Sequence, residues 1–260
     1  MKLGIIFIGM ILLSATAASG QDWSLYEKEI AVSKADTLQY RILYPDNFDP
    51  KNKYPLVIFL HGRGESGSDN EKQLTHGGNL FLQQELRTKH PSIVIFPQCP
   101  NSSYWANVNI SPDSSGKRVF NFVEGGAPTK AMEMLLNLTK EWKKKDFVDR
   151  DRIYVGGLSM GGMGTFELLR RERGTFAAAF AICGGDRASN VANYKKIPLW
   201  VFHGEEDKVV PIEHSDTVVR ELERLGKSVR YTKYPGIGHN SWDLALAEPE
   251  LLPWLFSHKR

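Results

Sequence analysis

From Leu25 to Val32 and from Leu38 to Tyr44 apolar and polar residues alternate ("LYEKEIAV", "LQYRILY"). Period two is the pattern of half-buried antiparallel strands. Downstream the alternation stops. "LVIFL" at 56, "IVIF" at 93, "IYVGG" at 153, "AAAFAIC" at 177 and "LWVFHG" at 199 are apolar at nearly every position, which predicts strands buried on both faces of a parallel sheet. Between them the period lengthens. Met132, Leu135, Leu136 and Trp142 share one face of a helix predicted over 131–145, with Thr129 or a neighbour as its cap. Val218, Leu222 and Leu225 line a second helix over 214–225, stopped by Gly226. Strands alternating with helices predict an α/β fold: a doubly wound, mostly parallel sheet with antiparallel N-terminal strands. Ligands of such sheets bind at the carboxyl ends of the strands.

The first 20 residues are read apart from this domain. Lys2, an apolar run from Leu3 to Leu13 and a small-residue exit form the pattern of an export signal. The run is shorter than the roughly 20 residues a spanning helix needs. Residues 1–20 are therefore expected to be a cleaved signal peptide and 21–260 a single catalytic domain, secreted or periplasmic. No stable membrane association is expected after cleavage. With 33 Lys+Arg against 30 Asp+Glu, the charge balance gives no reason to expect a nucleic-acid partner. The two cysteines, Cys99 and Cys183, follow strands expected to lie apart in the sheet, beyond the roughly 7 Å between Cα atoms that a disulfide spans. They are expected to be free thiols, and neither has the spacing of a metal site.

The chemistry sits in the loops at the ends of the apolar runs. After "IYVGG" comes Gly157-Leu158-Ser159-Met160-Gly161, then a helical stretch, "GTFELLRRER". A sharp strand-to-helix turn of this kind lifts a serine hydroxyl above the sheet and leaves no room for side chains at the flanking glycines. It also aims the Met160 N–H at an oxyanion forming there. A glycine-rich turn with an incidental serine is the competing reading, against which the flanking strand and helix argue. Serine needs a base and an orienting acid, expected in the order Ser, Asp/Glu, His. Asp207 in "HGEEDKVVP" and His239 in "IGHNSWD" stand in that order, each in a loop after a predicted strand. Glu205 and Glu206 read as solvated turn residues, Asp186 lies on the preceding strand, and His203 reads as structural. His76 falls near the cleft but precedes the serine. After "LVIFL", His61-Gly62-Arg63-Gly64 offers a second oxyanion donor, the N–H of Arg63 or else of Gly64; each such donor contributes about 3 kcal/mol to a transition state.

On "LHGRGESGSDN", "FPQCP", "DRIYVGGLSMGGMGTFELL", "HGEEDKVVP" and "GHNSWD", the chain resembles the α/β-hydrolases. Within them it resembles secreted bacterial esterases of the phospholipase/carboxylesterase and family 1 carbohydrate esterase (feruloyl or acetyl-xylan esterase) type. That resemblance implies a catalytic Ser159–His239–Asp207 triad, no metal or organic cofactor, and hydrolysis of carboxylic esters. A large lid domain has no counterpart here. In its place a long polar loop, 101–129, carries Tyr104 and Trp105. With Trp242 beside the base, these are the expected stacking surfaces for a sugar or an aromatic acyl group, packing being the competing role of both tryptophans. Feruloyl, acetyl or similar esters on plant polysaccharides, or their oligosaccharides, are the expected substrates. Two alternatives stand beside this reading. A peptidase like the catalytic domain of prolyl oligopeptidases shares the triad order, and a non-catalytic binding protein on the same scaffold would be expected to lack a triad member.

Overall fold

A computed structural model describes residues 23–33 and 36–260; the expected signal peptide, residues 1–20, lies outside the described residues. The alternating segments form β1 (Tyr26–Ser33) and β2 (Asp36–Leu43), paired antiparallel. The apolar runs supply β3 (Tyr54–Leu60), β4 (Ile93–Pro97), β7 (Val148–Leu158), β8 (Ala178–Ile182) and β9 (Leu199–Gly204), and β10 (Arg230–Tyr234) closes the series. They form one sheet of order β1-β2-β4-β3-β7-β8-β9-β10. Each neighbouring pair from β4 to β10 is parallel, and β2 joins β4 antiparallel.

Helices cover both faces, which explains the unbroken apolar runs. Ile58 and Leu60 enter one hydrophobic layer while their neighbours Val57 and Phe59 enter the other, as the two-residue repeat of a strand requires. Two short helices, α1 (Gly78–Leu82) and α2 (Gln84–Lys89), follow β3. The longer α3 (Lys130–Lys144) is capped by Thr129, whose side-chain oxygen accepts from Met132 N at 3.2 Å. Its covered face is broader than the apolar spacing implies: Met134 and Leu138 are buried beside Met132, Leu135 and Trp142, while Leu136 is half-buried. Next come α4 (Met160–Arg171), the short α5 (Ala188–Val191) and α6 (Glu213–Arg224), then α7 (Trp242–Leu246) and α8 (Leu251–Ser257). No helix among the described residues is long and apolar enough to cross a membrane.

Two segments differ from the sequence pattern. In β1 only Tyr26 is buried, and Val32 is 70% exposed, because β1 lies at the edge of the sheet with a single neighbouring strand. The expected loop after β4 contains an antiparallel ribbon, β5 (Val108–Pro112) and β6 (Arg118–Phe122), separate from the main sheet. Its turn closes on Asp113, whose Oδ1 accepts from Ser115 N at 2.8 Å and Lys117 N at 3.0 Å. Cys99 and Cys183 are free and buried; the strands they follow, β4 and β8, have β3 and β7 between them.

Candidate active site

Ser159 sits between β7 and α4 with φ 53° and ψ −116°. Such a conformation costs about 1–3 kcal/mol and persists only when the surroundings enforce it. Here the Ser159 N–H donates to Ile182 O at 2.8 Å, and the flanking glycines let backbones approach closely. A Cβ on Gly157 would lie 2.6 Å from Leu60 O, and one on Gly161 would lie 1.9 Å from the same oxygen. Only glycine fits at either position.

The Ser159 hydroxyl lies 3.0 Å from His239 Nε2, and His239 Nδ1 lies 2.7 Å from Asp207 Oδ2. Asp207 follows β9 and His239 follows β10, and their loops are joined: Glu205 N donates to Tyr234 O at 3.0 Å and Glu206 N to Ile237 O at 2.9 Å. Asp207 Oδ1 accepts from Val209 N and Val210 N at 2.8 and 2.9 Å. His203 Nε2 donates to Val210 O at 2.9 Å and stands 3.3 Å from Asp207 Oδ2. Burial by itself would raise the Asp207 pKa. Hydrogen bonds from His203, His239 and the Val210 N–H, with the charge of His239, outweigh it and hold the carboxyl well below the usual range. An ionised Asp207 only accepts, so His239 Nδ1 carries its proton and Nε2 offers a lone pair to the hydroxyl.

The competing carboxylates lie elsewhere. Glu205 and Glu206 are exposed. Asp186 is buried and accepts from Asn190 Nδ2 at 2.8 Å and Tyr194 OH at 3.1 Å. Burial raises its pKa to about 6 against those bonds and the Arg187 N–H. The ligand atoms of Cys183, Asp207 and His239 lie within 4.8 Å of one another. They fit a cation poorly: Asp207 and His239 are already bonded to each other, and burial keeps the Cys183 thiol protonated.

Met160 is the first residue of α4, and Arg63 the first of a 3₁₀ turn over Arg63–Glu65. The N–H groups of a helix's first turn have no partner within that helix, so both positions suit an anion. The loop carrying Arg63 is fixed from beneath by His61. This buried ring bonds through Nδ1 to Gly62 O at 2.6 Å and accepts from Cys99 N at Nε2, 2.9 Å. Burial drives the His61 pKa down to about 4, which keeps Nε2 free of a proton and able to accept. Gln98 holds the far side of the loop, accepting from Asn70 N at 2.8 Å and donating to Glu65 O at 3.2 Å.

Ser159 and His239 open into a cleft of ≈ 440 Å³, with Arg63 and Glu65 on one side and the ribbon residues Ile110, Arg118 and Phe120 on another. Tyr104 and Trp242 line it as well, and the Trp242 ring meets His239 edge-on at 5.2 Å. Trp105 does not reach the cleft. It is 0% exposed and packs against His61, with its Cβ 2.5 Å from where a Cβ on Gly164 would lie; its role is packing. His61, Gln98, His203 and the ribbon are not singled out by the sequence for these roles. The alternation of "VNISP" before the turn "DSSGK", with the β-branched and aromatic residues of "RVFNF" after it, is the signal that marks the ribbon.

The strand order, the strained serine turn between β7 and α4, and loops converging at the carboxyl edge define an α/β-hydrolase without a large lid domain among the described residues. A family model described as phospholipase/carboxylesterase matches residues 49–248. The chain belongs to that family. It is similar to a thermostable esterase of known structure, at 35% identity and a TM-score of 0.81, over 91% of this chain and 64% of that one. The chain thus spans under two thirds of that esterase's length. An acyl-protein thioesterase 1 from Debaryomyces hansenii is 25% identical over 207 residues, 74% of this chain and 87% of that protein. A probable feruloyl esterase C from Aspergillus oryzae is 22% identical over 239 residues, covering 89% and 80%.

Proposed function

We propose that the protein is an exported serine carboxylesterase that works through an acyl-enzyme. The observation that carries this reading is the run of two short contacts from Ser159 Oγ through His239 to Asp207, 3.0 and 2.7 Å long. His239 Nε2 takes the hydroxyl proton as Oγ attacks the ester carbonyl carbon. The carbonyl oxygen becomes an oxyanion held by the Met160 and Arg63 N–H groups. His239 returns the proton to the departing alcohol, leaving the acyl group on Ser159. Water, deprotonated by the same imidazole, then releases the acid. Asp207 holds the ring's tautomer and stabilises the imidazolium throughout. No step calls for a metal or an organic cofactor.

Tyr104, Trp242 and Phe120 give the cleft aromatic walls, suited to a planar acyl group such as feruloyl. Likeness to the Aspergillus oryzae protein supports that choice; acetyl and similar esters on plant polysaccharides belong to the same reading. Export rests on the pattern of residues 1–20. Ser159→Ala should reduce 4-nitrophenyl acetate hydrolysis by at least about 10³-fold, with the circular dichroism spectrum unchanged. Turnover surviving in that variant would refute the proposal. Feruloyl, acetyl and longer acyl esters, on xylan fragments and as simple esters, assayed beside aminoacyl-proline amides, separate the esterase from a peptidase.

A further inference from the structure

The charged groups of the cleft do not balance one another. Arg63 donates from its guanidinium to Ser103 O at 2.8 Å and Asn101 O at 2.7 Å. Glu65 Oε1 faces His76 Nε2 at 3.6 Å. That leaves Arg118, which lines the same cleft as Ser159. Among the described residues its guanidinium has no hydrogen bond and no carboxylate within ion-pair distance.

Arg118 is exposed, and its backbone is held in a defined register. It begins β6 opposite Pro112, and two residues on Phe120 pairs with Ile110. Residues two apart in a strand share a face, so the guanidinium extends the apolar face that Ile110 and Phe120 turn to the cleft. That face is anchored at its far end, where the rings of Phe120 and Phe122 meet His214 edge-on at 5.5 and 5.4 Å. The ribbon therefore offers a ligand an apolar surface followed by an unpaired positive charge.

We propose that this end of the cleft is an anion subsite, and that the preferred substrate is an ester carrying a carboxylate on an apolar spacer. The spacer lies along Ile110 and Phe120 while the carboxylate meets Arg118 in the paired N–H···O geometry that a guanidinium favours. This rests on the Ser159-dependent ester hydrolysis proposed for the same cleft.

Two matched pairs of esters test it. 4-Nitrophenyl hydrogen adipate against 4-nitrophenyl hexanoate places the carboxylate on the acyl half; 4-acetoxybenzoate against phenyl acetate places it on the alcohol half. The quantity read is the charged-to-neutral ratio of kcat/KM after subtracting spontaneous hydrolysis. Comparing that ratio between protein variants cancels intrinsic ester reactivity. In one pair the ratio should fall about tenfold in Arg118→Gln. It should fall less in Arg118→Lys, which keeps the charge. In wild type it should contract in about 0.5 M NaCl through screening. Ratios that are equal in wild type and Arg118→Gln for both pairs overturn the subsite and leave the serine mechanism standing. Ser159→Ala run on all four esters tests that mechanism separately, since turnover there refutes it whatever the ratios do.

Discussion

At the scale of single residues, the proposed mechanism divides the site into groups that would act on an ester and groups that hold them. Asp207 belongs with the first through its bond to His239, and Asp207→Asn should lower kcat by about 10⁴-fold by favouring the wrong imidazole tautomer; a stopped-flow or discontinuous assay on 4-nitrophenyl acetate reads this. His61 belongs with the second. His61→Ala strands one buried backbone group, the Cys99 N–H, at about 1–3 kcal/mol, while Gly62 O keeps the Glu65 N–H as a donor. Urea midpoints should fall accordingly, and kcat should drop more than KM rises as the Arg63 N–H loses its place. The meeting of Ser159, Asp207 and His239 is legible in sequence because each follows a strand and their order along the chain is constrained. The roles of His61 and His203 are not. His61 depends on Cys99, 38 residues away, and the contact of His203 with Asp207 needs the turn that folds one back onto the other. Trp105 misleads for a related reason: adjacency to Tyr104 in sequence says nothing about which of two neighbours turns inward.

At the scale of elements, what the sequence discloses tracks the strength of the periodic signal. Strands buried on both faces appear as unbroken apolar runs, and all five are legible. In α3 the spacing finds the right face but understates its breadth, because Met134 and Leu138 also lie against the sheet. The β5–β6 ribbon reads as a loop. Its residues alternate in β5, but Val119 beside Phe120 interrupts the pattern in β6, and most of them are polar or exposed, so it lacks the apolar density that draws attention to a strand. The ribbon docks through Phe120, which packs with Met163 and Val210. Phe120→Ala should therefore undock the ribbon rather than unfold the domain. Proteolytic nicking within residues 113–117 should accelerate and KM should rise, while the far-ultraviolet spectrum persists. Gly161→Ala acts in the opposite manner. Its Cβ would sit 1.9 Å from Leu60 O, a backbone atom with no room to retreat. Loss of soluble, folded protein on expression is the expected result, since overpacking against backbone exceeds the about 1–3 kcal/mol typical of side-chain crowding.

At the scale of the whole molecule, the sheet order is legible only as a class. Runs of apolar residues announce a parallel sheet, whereas which strand neighbours which is settled by crossovers that leave no local mark. Buried charge acts globally too. With a pKa near 6 in the folded state against about 4 in an unfolded chain, Asp186 gives up its proton later than its unfolded counterpart. Native stability from this group is thus complete below about pH 4 and is lost as pH rises through 6. Asp186→Asn keeps the acceptor for Asn190 and removes the ionisation. Relative to wild type, it should gain about 1–3 kcal/mol between pH 4 and pH 8, as read from denaturation midpoints at several pH values.

The placing of the two thiols gives the molecule an internal clock. Burial pushes the Cys99 thiol up to about 12 and the Cys183 thiol higher still, so an alkylating reagent meets neither a surface nor a thiolate until the surrounding chain opens. Cys99 stands under the loop after β3 and Cys183 behind the imidazole and carboxylate. The speed at which each takes up a maleimide would therefore time the loosening of two separate supports of the site, with no label engineered into the chain.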